Sequence, residues 1–158
     1  MNLARPHAMV VDAAKQIFLV TVLGSQPAKS TGRFRKNVIY RLRIIRVLKG
    51  KAGQSLEKPA VGILEIGQTI QLPGEEAPAE TRDETLSNHE DPRFWNRAAG
   101  RMGIDGDCSL QQPYFSNGRG YLILLGDPDD TKDLEEIGSD THRWLLYVSK
   151  RSERIKAQ

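Results

Sequence analysis

Val38-Ile39-Tyr40-Arg41-Leu42-Arg43-Ile44-Ile45-Arg46-Val47-Leu48-Lys49 is the stretch on which the fold turns. Successive side chains of a β-strand point to opposite faces, so Val38, Tyr40, Leu42 and Ile44 share one apolar face while Arg41 and Arg43 share the other. At Ile44-Ile45 the phase shifts: Ile45 and Val47 become candidates for the inner face and Arg46 for the outer. A slip of one residue is what a β-bulge produces, and bulges bend strands where sheets curl. The stretch therefore predicts a long, curved strand with one buried face and one cationic face.

Working outward, Gln16-Ile17-Phe18-Leu19-Val20-Thr21-Val22-Leu23 is β-branched and aromatic enough to form a partner strand, preceded by a short helical turn over Ala8 to Lys15. Ser25 to Gly32 reads as the connecting turn. On the other side, Ile63-Leu64-Glu65-Ile66 and Thr69-Ile70-Gln71-Leu72 predict a third strand, interrupted at Gly67 and stopped by Pro73-Gly74. Ser116-Asn117-Gly118-Arg119-Gly120 carries the Asn-Gly signal of a tight turn between a short strand over Cys108 to Phe115 and a nearly continuous apolar strand, Tyr121 to Leu125, expected to be central. Gly126 to Ser139 reads as an acidic surface loop. His142 to Ser149 reads as a final strand, with Trp144, Leu146 and Val148 on one face.

These elements imply a mainly β fold: one OB-like barrel of five or six strands with one or two short helices, over residues 1–150. A Pro/Glu/Ala-rich loop and a helix over Asp91 to Arg101 form an insertion at about 74–106, and 151–158 is a charged tail, frayed or weakly helical. A chain of 158 residues is long enough to bury one core without staples. No apolar stretch approaches the roughly 20 residues of a membrane-spanning helix, and Met1 to Pro6 contain no secretory h-region, which points to a cytosolic chain or to one whose signal has been removed.

Charge is distributed unevenly. No acid occurs from Pro27 to Lys51, a span holding Lys29, Arg33, Arg35, Lys36, Arg41, Arg43, Arg46, Lys49 and Lys51, whereas Glu75 to Asp91 is strongly acidic. The two could face different partners or each other. The candidate binding surface is Arg41, Arg43, Arg46 and Lys49, with the acidic loop from Glu75 to Asp91.

Catalytic and metal signals are weak. His7, His89 and His142 lie in three different elements without ligand spacing, Asn88-His89-Glu90-Asp91 lacks a second histidine, and the acids from Asp127 to Glu136 lack the order of a calcium loop. Gly118-Arg119-Gly120 leads into a strand, whereas a dinucleotide loop opens a helix. Cys108 is the only cysteine, which suits a structural thiol better than a nucleophile. No catalytic residue, cofactor or metal site is assigned.

Ile17 to Val22, the sequence Arg46-Val47-Leu48-Lys49-Gly50, Cys108, and Phe115-Ser116-Asn117-Gly118-Arg119-Gly120-Tyr121-Leu122, in that order, resemble the TIMP-like family of netrin-type OB barrels over about two thirds of the chain. The resemblance implies an OB-like barrel in a periplasmic or secreted protein. Metalloproteinase inhibition in the animal branch depends on an N-terminal cysteine that chelates zinc, and Met1-Asn2-Leu3 has none, so inhibition is not implied here. Cys108 matches a position disulfide-bonded in relatives, without its partner.

Three functions follow as expectations. The first is a non-enzymatic interaction module whose partner is a protein. The second is an OB domain for single-stranded nucleic acid, which needs stacking aromatics beside the cations; the phase of the long strand places Tyr40 away from Arg41 and Arg43. The third is an enzyme with an unrecognised site.

Overall fold

A computed structural model describes residues 7–29, 37–50, 64–75, 115–125 and 133–157. The expected helix over Asp91 to Arg101, the strand from Cys108 up to residue 114, Cys108 itself, His89 and the loop beyond Glu75 lie outside the described residues.

The elements run α1 (His7–Ala13), β1 (Gln16–Pro27), β2 (Asn37–Lys49), β3 (Thr69–Glu75), β4 (Gly120–Leu125), β5 (Asp133–Glu136) and α2 (Arg143–Lys156). All strand pairings are antiparallel, and they build one five-stranded open sheet in the order β3-β2-β1-β4-β5. The architecture is thus mainly β with two helices.

β1 is buried on both faces because alternate residues feed two separate cores. Phe18, Val20 and Val22 join Tyr40, Leu42, Ile44, Tyr121 and Ile123 on one side of the sheet. On the other side Ile17, with Leu19 packed beside it, meets Leu122, Leu124 and the helix residues Val10, Val11, Trp144, Leu145 and Val148. The continuous apolar run of β4 has the same origin, since both its faces are covered and it lies between β1 and β5.

The bulge read from the sequence is present: pairing passes from Leu19↔Arg46 to Val20↔Ile44, leaving Ile45 unopposed. Its side-chain assignment is corrected, however. Ile45 is 44% exposed, because the extra residue drops out of the alternation, while Val47 opposite Phe18 packs against the inner core. A second irregularity between Ile17/Phe18 brings Leu48 into the helix-side core.

Five other expectations change. His142 to Ser149 is not a strand: Arg143–Lys156 is a helix, in which Trp144 and Val148 are buried and Leu146 is exposed, and the supposed tail through Lys156 is its second half. The acidic loop from Gly126 to Ser139 contains β5, whose Leu134 and Glu135 are buried. Pro73 and Gly74 continue β3 instead of stopping it; β3 is at the end of the sheet, where a missing proline N–H is tolerated. Leu64 to Gln68 form a turn instead of a strand, with Gly67 at φ 86° and its N–H donating to the Ile44 carbonyl at 2.7 Å. β1 also runs on through Pro27, past the expected turn at Ser25.

The helices are fastened to each other by Arg151, whose Nε and Nη2 donate to the two Asp12 oxygens at 2.9 and 2.7 Å. The Arg151 hydrogen bond holds the Asp12 carboxyl below its ordinary pKa. A depressed carboxylate stabilises the fold above the usual carboxylate range, and this contribution is lost as pH falls through the lowered value. Arg151→Met is therefore expected to lower the urea midpoint slightly at neutral pH and not at all in strong acid. Equal losses at both values would show that the guanidinium acts only by packing.

Candidate binding surface

Strand pairing fixes the direction of the cationic side chains. Arg43 opposes Thr21 and Arg46 opposes Leu19, residues on the helix side of β1, and Arg41 follows the same alternation opposite Gly24. The helices α1 and α2 cover this side where Ile17, Leu48, Leu122 and Leu124 lie. Over the remaining half, Arg41, Arg43 and Arg46 are exposed, with exposed Gln71 and Thr69 across on β3 and half-buried Thr21 on β1. The sheet thus presents an arginine rail beside uncharged neighbours.

Among the described residues no carboxylate compensates the rail. Among the described residues the arginines in ion pairs are Arg119, bonded to Glu136 at 3.0 Å, and Arg151, bonded to Asp12; Arg41, Arg43 and Arg46 pair with no described carboxylate. Lys49, grouped with them in the sequence, has a different task. Its ammonium donates to the carbonyls of Val11 and Asp12 at 3.1 and 3.0 Å, satisfying the C-terminal end of α1. Burial pushes its pKa below the ordinary lysine value, partly opposed by the nearby Asp12.

The aromatic side chains are elsewhere. Tyr40 and Tyr121 both meet Phe115 edge to face, with centroids 4.9 and 5.0 Å apart, inside the inner core. Trp144 is buried and Tyr147 stacks on it at 5.7 Å. No described aromatic ring stands beside the rail, so the stacking platform of a single-stranded nucleic-acid site is not formed by these residues.

A buried polar pair that sequence reasoning missed joins β5 to α2. Glu135 opposes Leu122 and so points into the helix-side layer. There its Oε2 is 3.9 Å from Nε2 of His142, with side-chain exposures of 0% and 2%. His142 is the N-cap of α2: its Nδ1 accepts the Trp144 backbone N–H at 3.2 Å. An imidazole accepting at Nδ1 carries its proton on Nε2, the nitrogen facing the carboxylate. Both groups are enclosed, which suits a structural latch. His7 lies against Trp144 and Tyr147.

Compared with protein-family models and with curated proteins, the chain matches none.

Proposed function

We propose that the chain is a non-enzymatic interaction module of the netrin-like OB type, and that the rail on β2 binds an acidic segment of a partner protein. The observation that carries the binding reading is that Arg41, Arg43 and Arg46 are exposed together on one face of the sheet and pair with no carboxylate among the described residues. Guanidinium groups left without internal partners favour carboxylates that arrive from outside, and their planar donors suit bidentate contacts.

Strand order supports the barrel type. β1, β2 and β3 are consecutive antiparallel neighbours, and β4 returns by a long connection to lie beside β1, so that the order β3-β2-β1-β4 is that of a Greek key. A partly open, five-stranded Greek-key arrangement is the OB architecture. The netrin-like assignment and the extracytoplasmic location rest on the resemblance of the Ile17 to Val22, Arg46 to Gly50 and Phe115 to Leu122 segments.

Fluorescence anisotropy with a labelled oligoglutamate peptide tests the reading. Salt-sensitive binding is expected, weakened about tenfold or more in Arg41→Glu/Arg43→Glu. Both positions are exposed, so the variant is expected to fold normally. Binding of a single-stranded oligonucleotide but not of oligoglutamate, lost in the same variant, would replace the protein partner with a nucleic acid.

A further inference from the structure

We propose that the outward surface of the two helices docks on an anionic lipid bilayer, independently of the β2 rail. α2 divides its circumference into a sheet-facing side and an outward side. Trp144, Leu145, Val148, Ser149 and Ser152 are buried against the sheet. At about 100° per residue, Arg143, Leu146, Lys150 and Arg154 fall within about 80° of arc on the opposite side. All four are exposed, Leu146 to 53%.

Among the described residues no carboxylate compensates the cations of this stripe. The ion pair formed from α2 toward α1 uses Arg151, and Arg143, Lys150 and Arg154 pair with no described carboxylate. Lys156, the last residue of the helix, is exposed but lies on the sheet-facing arc, and Glu153, the single acid of the helix, is exposed about 20° of arc from Leu146 at the edge of the stripe. On α1, Val10 and Val11 are buried while Met9, about half a turn from them, is 50% exposed. The helices are neighbours through Asp12–Arg151 and through His7, which meets Trp144 edge to face at 6.1 Å. Met9 and Leu146 are thus both exposed on sides of the helices turned from the sheet, Leu146 beside the cations of α2.

Cations alone would suit any polyanion. Large apolar side chains projecting among them gain little from a phosphate backbone, but enter the boundary between headgroups and acyl chains favourably. Anionic leaflets attract basic residues near their surface, each raising partitioning about fivefold. Among the described residues no helix is long and apolar enough to cross a membrane, which fits a surface contact made by side chains.

The test is co-sedimentation of the full chain with vesicles of phosphatidylcholine alone or with one third phosphatidylserine. Binding is expected only to the anionic vesicles, reduced more than about twentyfold in Lys150→Glu/Arg154→Glu. Leu146→Ser, which keeps every charge, is expected to weaken binding several-fold, and circular dichroism checks that both variants retain native helicity. Arg41→Glu/Arg43→Glu is expected to keep vesicle binding while losing oligoglutamate, so the two readings fail separately. The proposal is overturned if anionic vesicles are not bound, if the β2 variant loses them while the α2 variant does not, or if Leu146→Ser binds as tightly as wild type. An oligonucleotide held through Lys150 and Arg154 more tightly than the vesicles would also overturn it, assigning the stripe to nucleic acid.

Discussion

Trp144→Ala is expected to cost about 3–5 kcal/mol, the range for deleting a fully buried aromatic side chain. Trp144 is 0% exposed. It stacks on Tyr147 with an interplanar angle of 9° and receives the edge of His7, so its removal opens a void between the sheet and both helices at once. Domains of this size carry about 5–15 kcal/mol in total, and the loss therefore consumes much of the margin. Urea denaturation followed by far-ultraviolet circular dichroism measures it. Trp144→Phe, which refills most of the space, is expected to recover more than half of the loss. A cost below about 1 kcal/mol for the alanine variant would show that α2 is not held by this anchor.

The second large effect is expected at His142. Its Nδ1 caps α2 and its Nε2 faces Glu135. His142→Ala removes an N-cap worth about 1 kcal/mol. It also withdraws a polar neighbour from the Glu135 side chain, which has no exposed surface, and taking a partner from a buried polar group costs about 1–3 kcal/mol. The total expected is about 3 kcal/mol. His142→Asn separates the two contributions, since asparagine caps as well as any residue but is too short to replace the imidazole opposite Glu135. It is expected to recover the cap alone, about 1 kcal/mol. Full recovery in the asparagine variant would mean that the contact with Glu135 contributes nothing.

The β2 strand was legible because one of its faces is solvated, which leaves the alternation of Val38, Tyr40, Leu42 and Ile44 with Arg41 and Arg43 intact. The bulge at Ile45 was legible for the same reason, although the orientation of the extra residue is set by local pairing and not by pattern. β5 was hidden because its helix-facing core residue is a glutamate, so four residues that carry three acids look like solvent-exposed chain. For α2 the deceptive signal was the accidental alternation of Trp144, Leu146 and Val148. Reading on to Ser152 restores a period near 3.6 through Trp144, Leu145, Val148, Ser149 and Ser152, with small serines allowing close approach at the later positions. That longer window also lines up Arg143, Lys150 and Arg154, which a strand reading scatters.

Of the candidate surface, the three arginines of the rail were legible as a unit. The separate employment of Lys49 was not, because it depends on α1 meeting the far end of β2. Such a contact between residues 38 positions apart leaves no trace in local periodicity.

The sheet order has a consequence for how the molecule assembles. β1 finds β2 across a short connection but finds β4 only when Gln16 meets Leu125 and Thr21 meets Gly120. Contacts so distant in sequence require a large loop to close before they return any stabilisation, and proteins dominated by them fold in milliseconds to seconds. The β1–β2 ribbon can form early, with both its apolar faces still wet. The interval before β4 and the helices arrive is therefore when the nascent chain is most exposed to self-association, and its speed limit is set by topology more than by final stability.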